Sequence, residues 1–175
     1  MGPMTRRLAA LLLAGTLAAG PVQAANEPFD IFSDSWTADG IEDVTVFIGN
    51  VEFRQGRLLI RAEIARFLGV EGLDTTDFER AVFTGVPVYF RQEAEDGTVT
   101  EGRAREIDYQ AEEEHLSLRG EAWVRQGRQQ LTAARIEYSV ARDRIVSAGR
   151  LDEEEDGERV HFRSVPEEER EDNGS

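Results

Sequence analysis

Two stretches of the 175-residue chain read almost alike, "GNVEFRQG" at residues 49–56 and "GEAWVRQG" at residues 120–127. A looser version, "GVPVYFRQ" at 85–92, stands between them, so the leading glycines Gly49, Gly85 and Gly120 are 36 and 35 residues apart. Inside each stretch apolar and polar residues alternate, as they do in a strand with one dry face. Repetition at a fixed period of this length marks one structural unit stacked on the next.

Working outward, each Arg-Gln leads through a turn into a segment carrying Ala and Ile and ending in an aromatic: "RAEIARF" at 61–67, "RAREIDY" at 103–109 and "AARIEY" at 133–138. The stretches 58–69 and 131–145 contain good helix formers. Three similar segments after three similar strands share one secondary structure, so both are read as strands. Alternation recurs throughout: Val44, Val46 and Ile48; Val51 and Phe53 after a phase change at Gly49-Asn50; Leu58 to Ile64; Val86 to Phe90; Ile107 and Tyr109; Leu116 and Leu118; Ala134 to Tyr138. Turns are expected at Gly56, Gly72, Asp96-Gly97, Gly102, Gly127 and Asp156-Gly157. A period near 35 holds about four strands of roughly seven residues. The expected fold is all-β, an elongated stack with two facing sheets and open at both ends. Its terminal strands present unpaired backbone at "FDIFSD" 29–34 and "RVHFRSV" 159–165. Because the two edges differ, pairing between copies would be head-to-tail.

The chain begins with Arg6 and Arg7, an apolar run from Leu8 to Leu17, Pro21 and "VQA" at 22–24, which together read as an export signal cleaved after Ala24. The domain is expected over 25–166 and an acidic tail over 167–175. Loss of the leader leaves 18 arginines against 35 acidic residues, about −17 in formal charge, with no lysine and no cysteine. Such a surface repels nucleic acid and anionic bilayers, and no disulfide staples the fold.

Catalytic signals are missing from the sequence. His115 and His161 have no metal-type spacing, and no nucleophile elbow, phosphate loop or cofactor motif occurs. His115 is expected to be solvated at a turn, and His161 to stand on the terminal strand. The acidic run at 152–156 lacks calcium-loop spacing. Arg54, Arg91 and Arg125, which recur in the repeat, are expected to pair across strands with acids, since a bidentate guanidinium suits carboxylate as well as phosphate.

"IFSDS", "FIGNVEFRQG", "GVPVYFRQ", "EGRAREIDY", "LRGEAWVRQG", "ARIEY" and "RVHFRSVPEE" occur in an order and spacing that resemble the family of the periplasmic lipopolysaccharide-transport protein LptA, the OstA-like domain family. The resemblance implies a twisted β-jellyroll of about sixteen antiparallel strands, V-shaped in section, working in the periplasm without enzymatic activity, metal or cofactor. It implies that acyl chains of lipid A lie between the sheets. It further implies partners of similar fold, an inner-membrane-anchored LptC-like and an outer-membrane LptD-like jellyroll, joined by edge-strand addition, and possible self-association. On this reading the inward positions lining a groove are Phe29, Ile31, Val46, Ile48, Phe53, Ile60, Val88, Phe90, Ile107, Tyr109, Leu118, Val124 and Ile136. The N-terminal edge would be formed by Phe29, Asp30, Ile31, Phe32 and Ser33, and the C-terminal edge by Val160, His161, Phe162, Arg163 and Val165. A ligand-free β scaffold for envelope proteins is the alternative.

Overall fold

The computed structural model describes residues 28–39, 43–69, 78–149 and 160–164. The leader, Gly72, the run at 152–156, Asp156-Gly157, Val165 and the tail at 167–175 lie outside them. The described residues hold ten strands: β1 (Phe29–Phe32), β2 (Ser35–Asp39), β3 (Val44–Gln55), β4 (Leu58–Leu68), β5 (Arg80–Glu93), β6 (Val99–Gln110), β7 (His115–Gln126), β8 (Gln129–Ser139), β9 (Arg144–Gly149) and β10 (His161–Ser164). They form one antiparallel sheet in which β3 to β8 follow chain order. β1 and β2 share the β3 edge, and β9 and β10 share the β8 edge. Of the two stretches with good helix formers, 58–69 forms β4, and 131–145 is the body of β8, a turn at 140–143 and the start of β9.

The repeat is a pair of long strands rather than four short ones. Each long strand is interrupted midway by a register shift, at Ile48/Val51, Arg61/Ile64, Thr84/Val88, Arg103/Glu106 and Arg119/Ala122. The three echoing glycines stand at this line on alternate strands. Gly49 and Gly120 have φ of 81° and 75° and are followed by Asn50 and Glu121, also at positive φ, while Gly85 precedes the cis Val86–Pro87 bond. Two successive left-handed residues bend a strand sharply, and glycine takes that conformation without a Cβ penalty. Asp34 fastens the first bend, donating its N–H to the Gly49 carbonyl at 2.9 Å and accepting from Asn50 Nδ2 at 2.8 Å.

The shifts divide the sheet into two leaves. One contains β1, β10 and the portions of β3 to β8 next to the 55/58, 93/99 and 126/129 turns; the other contains β2, β9 and the remaining portions. Phe53 on the first leaf meets Phe67, Phe83 and Tyr109 on the second at ring separations of 5.8, 5.5 and 6.1 Å. Phe90 likewise meets Tyr138 across the leaves at 5.3 Å. Such contacts require a sheet folded along the line of bends, with one continuous apolar interior between the leaves.

Two further expectations are corrected. Gly102 is not a turn: it is buried in mid-β6, where a Cβ would collide with the Phe90 ring and come within 2.7 Å of the Trp123 carbonyl. On β3 before the bend, the inward residues are Thr45 and Phe47, so Val46 and Ile48 face outward and Ile48 is exposed. Thr45 and Phe47 stand opposite Phe67 and Ala65, which are core residues, and directly opposed residues share a face.

Candidate functional site

Nine of the thirteen groove candidates are sealed inside: Phe53, Ile60, Val88, Phe90, Ile107, Tyr109, Leu118, Val124 and Ile136 are at most 1% exposed. Phe29 and Ile31 are half-buried and pack against them. Only Val46 and Ile48 fall on the wrong face. The interior also holds Phe67, Phe78, Phe83, Leu116 and Tyr138. Phe67 and Phe83 escaped the groove reading because the burial alternation slips at the bends: inward residues on β4 are Leu58 and Ile60, then Ala65 and Phe67.

The side of the V opposite the bends is closed by a polar seam. Gln55, Gln92 and Gln126, the glutamines of the three echoes, fall with Leu58 and Thr100 in one row of directly paired residues on the inner face of the first leaf. Tyr109 and Tyr138 come from the lip of the second leaf. The Tyr109 hydroxyl donates to Gln55 Oε1 at 3.0 Å. Farther along, Asp143 accepts from Thr100 Oγ1 at 3.0 Å and from the Tyr138 hydroxyl, and Gln126 Nε2 donates to the Asp143 carbonyl at 3.0 Å. Burial, seconded by the neighbouring Asp143 carboxylate, pushes the Tyr138 phenol well above its usual range. At the first end the seam is aromatic, with Phe29 stacked on Phe67 at 6.0 Å and Phe78 edge-on to both.

The outer faces are charged and laced together. Arg54 pairs with Glu52 and Arg91 with Glu93 along their own strands, while Arg125 pairs across strands with Glu101. All three meet acids, as expected, but two do so within one strand. Hydrogen bonds from Arg61 and then Arg54 hold the Glu52 carboxyl below its usual range. Asp108 is buried beneath the forked Arg80, at 2.8 and 2.5 Å. His115 is not solvated as expected: it opens β7 against Glu137, which also accepts from Ser117 and Arg135. Burial raises the Glu137 carboxyl, but those three hydrogen bonds outweigh it, leaving a net lowering. His161 is exposed on β10. Among the described residues no group of three His, Asp or Glu could hold a metal ion.

Each end of the folded sheet shows apolar inner surface to solvent. Trp36 lies opposite Phe47 on the inner face of β2 and is 51% exposed; Phe162 lies opposite Leu131 on β10 and is 58% exposed. Of the anticipated edge residues, Phe29 to Phe32 do form β1 and His161 to Arg163 lie in β10, whereas Ser33 joins β1 to β2 and Val160 precedes β10.

Comparison with known proteins agrees with this architecture. The chain is 28% identical over 145 residues to the lipopolysaccharide export system protein LptA of Haemophilus influenzae, covering 81% of this chain and 82% of that protein. It is 29% identical over 142 residues to LptA of Escherichia coli K12, covering 79% and 74%. The fold matches the crystal structure of LptH, the LptA-homologous periplasmic component of the lipopolysaccharide transport device of Pseudomonas aeruginosa. That match has a TM-score of 0.71 at 23% identity and covers 83% of this chain and all of the other. The family model for the LptA/(LptD N-terminal domain) LPS transport protein matches residues 30–144, and the chain belongs to that family.

Proposed function

We propose that this protein is a periplasmic bridge component that shields the acyl chains of lipopolysaccharide between its two leaves and passes the lipid from an inner-membrane complex toward an outer-membrane assembly complex. The observation that carries the reading is the apolar interior, which runs the length of an open folded sheet and reaches solvent at both ends at Trp36 and Phe162. Each buried methylene is worth roughly 0.8 kcal/mol, so an acyl chain of about a dozen carbons costs on the order of 9 kcal/mol to expose. A continuous apolar path lowers that barrier at every step and needs no bond to be made or broken, in keeping with a transport role and no catalysis.

Edge strands with different sequences at the two ends suit head-to-tail strand addition, with LptC-like and LptD-like jellyrolls or with further copies of the chain. The packed interior favours one rival reading, a ligand-free scaffold. Purification without detergent from a lipopolysaccharide-producing host, followed by mass spectrometry, separates the two. Transport predicts lipid A in amounts comparable to the protein and above those on an unrelated exported protein handled identically; a scaffold predicts none above that background.

A further inference from the structure

The outer face of the first leaf carries a group of side chains that a lipid between the leaves does not use. Successive strands place Arg61, Tyr89, Arg103, Trp123 and Thr132 in one row of directly paired residues, and Arg91, Glu101, Arg125 and Gln130 in the next. Neighbours in a row stand about 4.8 Å apart and the two rows about 7 Å apart. The Trp123 ring takes two guanidiniums, Arg103 at 5.4 Å and Arg125 at 5.9 Å from its centre. Glu101 pairs with Arg125 and accepts from the Tyr89 hydroxyl at 3.0 Å. Arg103 is exposed and has no carboxylate partner among the described residues. Along the paired strands of this face Arg54, Arg61, Arg91, Arg103, Arg125 and Arg163 stand against Asp30, Glu52, Glu93 and Glu101. Cations therefore outnumber carboxylates here, in a chain whose formal charge is −15.

The backbone of a strand inside a sheet is consumed by its two neighbours, so this face can recognise a partner only through side chains. It offers rings, guanidiniums, a hydroxyl and an amide. Guanidiniums hold carboxylates through paired N–H donors, and the rings beside them give a flat apolar surface. A sugar ring fits both, with its C–H face on an aromatic and its hydroxyls toward Thr132 and Gln130. An acidic peptide would leave the rings unused, and a polymer as densely charged as nucleic acid is repelled by the acidic remainder of the molecule. We propose that the outer face of the first leaf, centred on Arg103 and Trp123, docks an acidic polysaccharide, its rings on Trp123 and Tyr89 and its carboxylates on Arg103 and the neighbouring arginines. The patch lies on the opposite side of the leaf from the apolar interior, so the sugar is that of a separate chain and not the head of a lipid held inside. Docking there tethers the protein to a polysaccharide without occupying the interior or either end.

The test uses the full mature protein and measures, by isothermal titration at physiological ionic strength, binding of a galacturonic acid hexamer, of its methyl ester and of a glutamate hexamer. The ester keeps the rings without the charge, and the peptide keeps the charge without the rings. Wild type should bind the acidic sugar at least tenfold more tightly than either. Arg103→Gln should weaken that binding about tenfold, through loss of a charge-assisted bond, and Trp123→Leu about fivefold, through loss of ring stacking. Arg66→Gln, on the outer face of the second leaf, should leave it unchanged. Failure of wild type to bind the acidic sugar overturns the proposal. Equal affinity for the glutamate hexamer also overturns it, by making the face a site for acidic peptide. So does an equal loss in Arg66→Gln and Arg103→Gln, which would show diffuse attraction, or wild-type affinity in a folded Arg103→Gln or Trp123→Leu. The first two outcomes need no variant and hold even where a substitution disturbs folding.

Discussion

Gly102 shows how one residue can be decisive and yet misread from sequence. In a linear reading it resembles the turn glycines Gly56 and Gly127, which do stand in hairpins. In the fold it lies between Phe90 and Val124 in the paired row, and the Phe90 ring occupies the space a side chain would need. Gly102→Ala is expected to destabilise by about 1–3 kcal/mol through overpacking, measured by urea denaturation. The same substitution at Gly97, where nothing lies within 4 Å of the missing Cβ, has no packing cost, so any loss there reflects only its φ of 82°. Gln92 was equally illegible. Its place in the echo was visible, but that its buried Oε1 meets no donor among the described residues depends on the second leaf, which no local pattern reports.

At the scale of the strand, period-two patterning on β3 to β8 carried most of the reading, and the glycines spaced 36 and 35 residues apart, read only as the starts of a repeat, stand at the bends of alternate strands. What the spacing could not convey is that the bends slip the burial alternation of some strands and not others. It therefore assigned Val46 and Ile48 to the dry face and passed over Phe67 and Phe83. The strand β8 carries a further consequence. With no lysine and no cysteine, the side chains that titrate between the neutral range and arginine are the three tyrosines. Tyr89 is raised by burial and by its hydrogen bond to Glu101, and Tyr138 is raised more strongly. A phenol raised in the folded state contributes stability that is complete below its unfolded value near pH 10 and declines as pH climbs beyond it. Wild type should therefore lose melting temperature steeply above about pH 10. Tyr138→Phe, weaker at pH 8 by its lost bond to Asp143, should decline less steeply; parallel decline would contradict the assignment.

For the whole molecule, the folded sheet, its open ends and its family membership were legible because each depends on order and alternation along the chain. The expectation of about sixteen strands is to be set against ten strands among the described residues, six of which cross the line of bends. The proposed head-to-tail association gives the ends a testable role. In a head-to-tail stack, Phe162 of one copy would lie beside β1 of the next, and Trp36 would lie beside β9 of the preceding one. Trp36→Asp and Phe162→Asp are each expected to weaken self-association at least tenfold in sedimentation experiments while leaving the melting temperature within a few degrees of wild type. Unchanged association would remove these edges from the interface.

The acyl chains' location is tested most directly by photocrosslinking in a lipopolysaccharide-producing cell, with a photoreactive residue placed at Ile136 inside the leaves or at Ile48 on the outer face. An interior conduit predicts lipopolysaccharide adducts from Ile136 and none above background from Ile48. Adducts from Ile48 alone, or equally from both, would contradict it.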